Sequence, residues 1–198
     1  RTSRTILGWQ ATLLYGEQDE ASTLRIADDY IRFSVETKSL TMLPWAPGAN
    51  VSHLSARFVG AYSDDVLPSF EQTPLGGPFG VRAFASYDFT ADTMAFLGVD
   101  WQVDVGQHVF GSMTDENSLR VGVFAEAAWG EANGIGNGPD STADLSAFGL
   151  LLRYQWRDNF TVATSLALPG HDSVSDDFSG EFTDDDYTFL FDVRYEFH

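Results

Sequence analysis

Arg82 is the side chain best placed to do chemistry, because it closes the stretch Leu75-Gly76-Gly77-Pro78-Phe79-Gly80-Val81-Arg82-Ala83-Phe84, where turn-forming residues crowd around one cation. The glycines permit positive φ and close backbone approach, and Pro78 restricts one φ, so the spacing predicts an ordered, sharply folded loop. A rigid loop that presents a forked guanidinium calls for an enclosed polar partner, and a carboxylate is the natural one.

Other reactive groups are scattered. His53, His108, His171 and His198 show no metal-ligand spacing. The acidic run Asp176-Asp177, Glu181 and Asp184-Asp185-Asp186 offers hard oxygen ligands, but it lacks calcium-loop spacing and reads as a solvated loop. His108, His171 and Asp172 lie in or near connections, which keeps a rim-active hydrolase as a remote alternative. No nucleophile elbow, phosphate loop or paired-His motif occurs, so no catalytic residue, metal or cofactor is assigned and an enzyme is not expected. With 29 acidic against 11 basic residues, a net charge of −18 disfavours electrostatic binding to nucleic acid. Cysteine is absent, so disulfides and thiolate chemistry are excluded.

The elements that must position Arg82 have period two. Tyr187, Phe189, Phe191, Val193, Tyr195 and Phe197 alternate with Thr188, Leu190, Asp192, Arg194, Glu196 and His198. Comparable stripes run through 7–15, 54–62, 95–103, 119–129, 148–156 and 160–168. The less regular 22–43 is rich in β-formers, so eight strands are expected. They are long, and a tilted membrane-crossing strand needs about 9–11 residues. No apolar run approaches the length of a membrane-spanning helix. Trp9, Tyr15, Trp101, Trp129, Tyr154, Trp156 and Tyr195 lie near the ends of apolar stripes, as an interfacial belt requires. The opposite faces carry Gln10, Arg57, Asp100, Gln102, Arg120, Glu126, Arg153 and Asp192, which reads as a polar lumen.

Short connections, at 157–159 and around 44–50, alternate with long ones at 64–92, 130–144 and 170–186. The fold class expected is therefore all-β: an antiparallel transmembrane β-barrel in one domain, 1–198, with a lid loop at about 66–92. A soluble sandwich or lipocalin-like barrel is the alternative. The chain begins at Arg1 with no charged-then-apolar leader and reads as a mature or excised segment.

Leu75, Gly76, Gly77, Gly80, Val81, Arg82 and Phe84 resemble the lid-loop signature of the haemolysin secretion/activation (two-partner secretion) transporters, within the superfamily of outer-membrane protein assembly factors. Ala83 stands where that signature has glycine. The resemblance implies a loop folded into the lumen, its arginine meeting acids on the next two strands. Asp100 corresponds to the first. Glu126, in Phe124-Ala125-Glu126-Ala127-Ala128, stands where the family has Phe-x-Asp-x-Gly, and strand parity turns both acids inward. Gly80, Gly98 and Gly122 are expected to be packing clearances for the loop. Phe191, Val193, Tyr195 and Phe197 resemble the C-terminal insertion signal of outer-membrane barrels, and Leu166-Ala167-Leu168-Pro169 resembles a strand end.

Five strands follow the loop and three precede it, whereas a family barrel has about sixteen with periplasmic transport-associated domains before them. The chain thus resembles the C-terminal half of such a barrel, with a small closed barrel second. The resemblance implies a bacterial outer-membrane location and a non-enzymatic polypeptide transporter or insertase. Its partners would be an unfolded client, outer-membrane lipid, and the missing barrel half or the periplasmic domains. A passive pore or structural barrel is the competing reading.

Overall fold

Period-two alternation does produce strands. The computed structural model describes residues 3–17, 29–44, 52–106, 117–134, 138–157, 159–175 and 186–196. Expectations at 45–50, His108, 176–185, Phe197 and His198 lie outside the described residues.

Among the described residues ten strands run in chain order: β1 (Arg4–Glu17), β2 (Asp29–Leu43), β3 (Ser52–Tyr62), β4 (Thr73–Pro74), β5 (Thr90–Ala91), β6 (Thr93–Asp104), β7 (Asn117–Ala132), β8 (Ser141–Trp156), β9 (Phe160–Val174) and β10 (Thr188–Tyr195). Eight form one sheet in the order β1-β2-β3-β6-β7-β8-β9-β10. Every neighbouring pair is antiparallel. Connecting each strand to its spatial neighbour is the simplest way to satisfy long ladders from local hairpins. β4 and β5 pair only with each other, inside the long connection between β3 and β6. Among the described residues the sheet is open: β1 and β10 are its two edges and do not pair. A closed eight-stranded barrel is therefore not the form seen.

Alternation separates two faces. One is exposed and apolar, carrying Leu7, Leu13, Phe33, Leu97, Phe148, Leu150, Phe189 and Phe191. Tyr15, Trp129, Trp156 and Tyr195 on this face lie near strand ends, but Trp9 does not, because β1 begins at Arg4 and leaves it well inside the strand.

The other face departs from the expected polar lumen where the loop covers it. Met94, Phe96, Phe124, Ala128, Ala143, Leu145, Ala147 and Ala167 are buried there against Leu75, Val81, Phe84, Phe89 and Ala91 of the loop. Single-face alternation does not reveal this, since these strands are apolar on both sides where the loop covers them. Beyond the loop the same face is polar, as expected.

β9 also runs past Pro169, where a strand end was expected. Two features accommodate the proline. A bulge shifts the β8–β9 register between Ser146 and Ala147, and β10 pairs with β9 only as far as Ala167, so Pro169 lies where no ladder partner follows on that side among the described residues.

Candidate functional site

The loop from Ser63 to Asp92 folds onto the polar-to-apolar face of the sheet and is held by its own backbone first. Leu75 N–H donates to Phe89 O (3.0 Å), Gly77 N–H to Phe84 O (2.7 Å) and Val81 N–H to Leu75 O (2.7 Å). Of the signature glycines, Gly77 adopts positive φ (84°). A β-carbon at Gly76 would sit 2.3 Å from Ala85 O, and one at Gly80 2.1 Å from Leu75 O, so these two are glycine for close approach. Leu75 and Val81 are fully buried and Phe84 nearly so, whereas Phe79 at the turn is exposed.

Arg82 meets both expected acids. Its Nε donates to Glu126 Oε1 at 2.7 Å, its Nη2 to Asp100 Oδ1 at 2.7 Å, and its backbone N–H to Glu126 Oε2 at 2.9 Å. Glu126 therefore uses both oxygens on one residue, clamping side chain and backbone together. The arginine side chain is 15% exposed, Glu126 4% and Asp100 27%, which makes Glu126 the inner partner and Asp100 the wetter one. The Arg82 guanidinium also lies 3.8 Å from the centroid of the Phe124 ring, a distance at which the ring face attracts the cation. Phe124 was expected only as part of the acidic motif; here it is the floor under the guanidinium.

That floor has a cause in the next strand. Phe124 and Gly149 are register partners across β7 and β8. A β-carbon on Gly149 would come within 2.7 Å of the Phe124 ring, so the glycine leaves the space into which the ring folds. The expected clearances at Gly98 and Gly122 serve the sheet instead. Side chains there would meet the Phe96 ring and the Glu126 side chain, or Trp101 O and Gln102. The clearance beneath the loop is Gly130, where a β-carbon would meet Leu75 and Ala91 within 3 Å.

Further anchors distribute the loop over several strands, and of these alternation placed Arg57 on the inward face. From β2, Arg32 donates to Thr73 Oγ1 (2.6 Å) and Glu71 (3.4 Å). From β3, Arg57 donates to Phe79 O (2.6 Å) while its Nε pairs with Glu36 (2.8 Å). From β10, Thr188 Oγ1 donates to Ala83 O (2.9 Å). At the base of the loop, fully buried Asp92 accepts from Leu67 N–H (2.9 Å), Gln72 Nε2 (3.0 Å) and Asn133 N–H (2.7 Å). Asn133 Nδ2 in turn donates to Ser63 O and Asp65 O. The one legible signal for this hub was an acid next to Thr93 at the start of a strand, which is weak.

Phe191, Val193 and Tyr195 lie exposed on the apolar face of β10 and make no hydrogen bond or ion pair with the arginine. His53 lines the polar end of the loop-bearing face, and His171 stands opposite Ser146 on β9. They are not brought together. The geometry holds the loop on the sheet through charge-assisted hydrogen bonds. Comparisons with known protein families, curated proteins and solved structures return no match for this chain.

Proposed function

We propose that this chain is the lid-bearing part of a bacterial outer-membrane barrel that moves or inserts polypeptide clients without catalysis. The observation that carries the reading is the doubly paired Arg82, which a loop arginine facing solvent would not form. Removing one partner from such a pair leaves a charge stranded, so loop release is a discrete step rather than a gradual drift.

The exposed apolar face supports a hydrocarbon environment, because so much contiguous apolar surface is unfavourable in water. Edges unpaired inside lipid are not tolerated, so β1 and β10 take strands from another polypeptide, the missing half of a larger barrel. Among the described residues β10 is the shortest of the eight long strands and pairs with only part of β9, a seam at which an extended client can add by strand pairing. A passive pore calls for an open interior, and here the loop packs across the face that would enclose it.

The test is Arg82→Ala and Glu126→Ala, separately, in a secretion or membrane-insertion assay with barrel level measured in parallel. Loss of client transport with the barrel still present in the membrane is expected. Full transport in both variants removes the lock from the mechanism.

A further inference from the structure

Five of the chain's eleven Lys and Arg side chains line one cleft of about 1030 Å³ on the loop-bearing face, in a protein of net charge −18. Three of the five are engaged. Arg82 holds Asp100 and Glu126, Arg57 holds Glu36 and Phe79 O, and Lys38 holds Glu36. Arg120 and Arg153 differ. They are direct register partners across β7 and β8, both line the cleft, and among the described residues neither makes an ion pair. Arg120 Nε is buried without a hydrogen-bond partner.

Like charges directly opposite on an antiparallel pair repel, and a buried guanidinium N–H without an acceptor is costly. An entering anion relieves both penalties. Carboxylates on the neighbouring strands do not. Asp104 is the register partner of Arg120 on β6, and Asp192 reaches the cleft from β10, yet neither is within ion-pair distance of either arginine. His53 and Gln102, register partners across β3 and β6, line the same end and add polar groups. Gly122, opposite Gln102, places no side chain between them and β8.

We propose that Arg120 and Arg153 form a binding site for an oxyanion, the carboxylate or phosphate group of a ligand that enters the cleft. Two guanidinium forks on adjacent strands can each give paired N–H donors to one such group. The cleft is many times the volume of a bare ion and has room for a larger molecule that carries the anion. The inference stands whether or not the chain transports polypeptides.

The test is calorimetric titration of the full chain, in zwitterionic detergent at constant ionic strength, with inorganic phosphate. Saturable binding is expected in the wild type, weakened tenfold or more by R120Q or R153Q and unchanged by R157Q, whose side chain lies in the β8–β9 turn. A second readout is thermal: without phosphate, R153Q unfolds at no lower temperature than the wild type, because a repulsion is removed, and phosphate raises the unfolding temperature of the wild type and of R157Q but much less that of R120Q or R153Q. Displacement of bound phosphate by N-acetylglutamate or by glycerol 3-phosphate assigns the group as carboxylate or phosphate ester; displacement by neither overturns the site. So does a wild type that shows no saturable binding, or binding that survives both R120Q and R153Q.

Discussion

Phe124 and Gly149 face each other across β7 and β8, and the aromatic ring occupies the space that any side chain at 149 would take. Arg82 then rests on that ring at 3.8 Å. A glycine two strands from Asp100 thereby sets the height of the guanidinium above the sheet. Gly149→Val is expected to push the ring upward, weaken the stack and destabilise the fold by about 1–3 kcal/mol, the usual range for overpacking. Phe124→Leu in the same background restores only part of this, since the added β-carbon also approaches Leu166 O at 2.0 Å. Denaturant midpoints of the single and double variants check it, and complete restoration would show that the ring alone explains the glycine.

The two acids of the lock are unequal. Glu126→Ala strands a guanidinium and a backbone N–H in a nearly dry site, at a cost of about 3–5 kcal/mol. Asp100→Ala removes one hydrogen bond to a charged group that water partly reaches, and costs about 1–2 kcal/mol. Equilibrium unfolding of both variants measures the order. Equal losses would contradict the inner and outer assignment.

Asp92 is expected to matter to the loop as much as the lock does. Asp92→Asn keeps the shape but turns an N–H donor toward one of three groups that are themselves donors. Limited proteolysis is expected to cut between Ser63 and Thr73 at least several-fold faster in Asp92→Asn, with the eight long strands retained by circular dichroism. Unchanged cutting would mean that the hub does not hold the loop base.

The open sheet makes a prediction that the absence of cysteine renders easy to read. Cysteines placed at Leu7 on β1 and Val193 on β10, one per edge, are expected to join another polypeptide through a thiol-to-amine cross-linker and to migrate above the monomer on a denaturing gel. An internal disulfide that links the two edges of one chain, shown by mapping the cleaved fragments, would demonstrate closure.

The strands were legible because an apolar face leaves a period-two trace, and seven of the eight long strands lie where that trace is clean. The less regular 22–43 is described as β2 only from Asp29. Asp100 and Glu126 were legible as partners of Arg82 through the resemblance of the loop and the following strands to a family signature, and parity turned both inward. Other features left no such trace. Phe96, Leu145 and Ala147 sit on the face read as polar, and their burial depends on a loop that covers them from elsewhere in the chain. Gly130 and Gly149 look like any strand glycine until the groups above them are known.

From its order of residues alone, the chain specifies antiparallel strands, a glycine-framed arginine and two inward acids, since alternation, turn chemistry and parity are local properties. Tertiary structure decided which side chains that loop touches, where the inner face becomes dry, and that Arg120 and Arg153 stand opposite each other. Those depend on the register of strands against one another and on a long connection folding back across them, distances that no local pattern encodes.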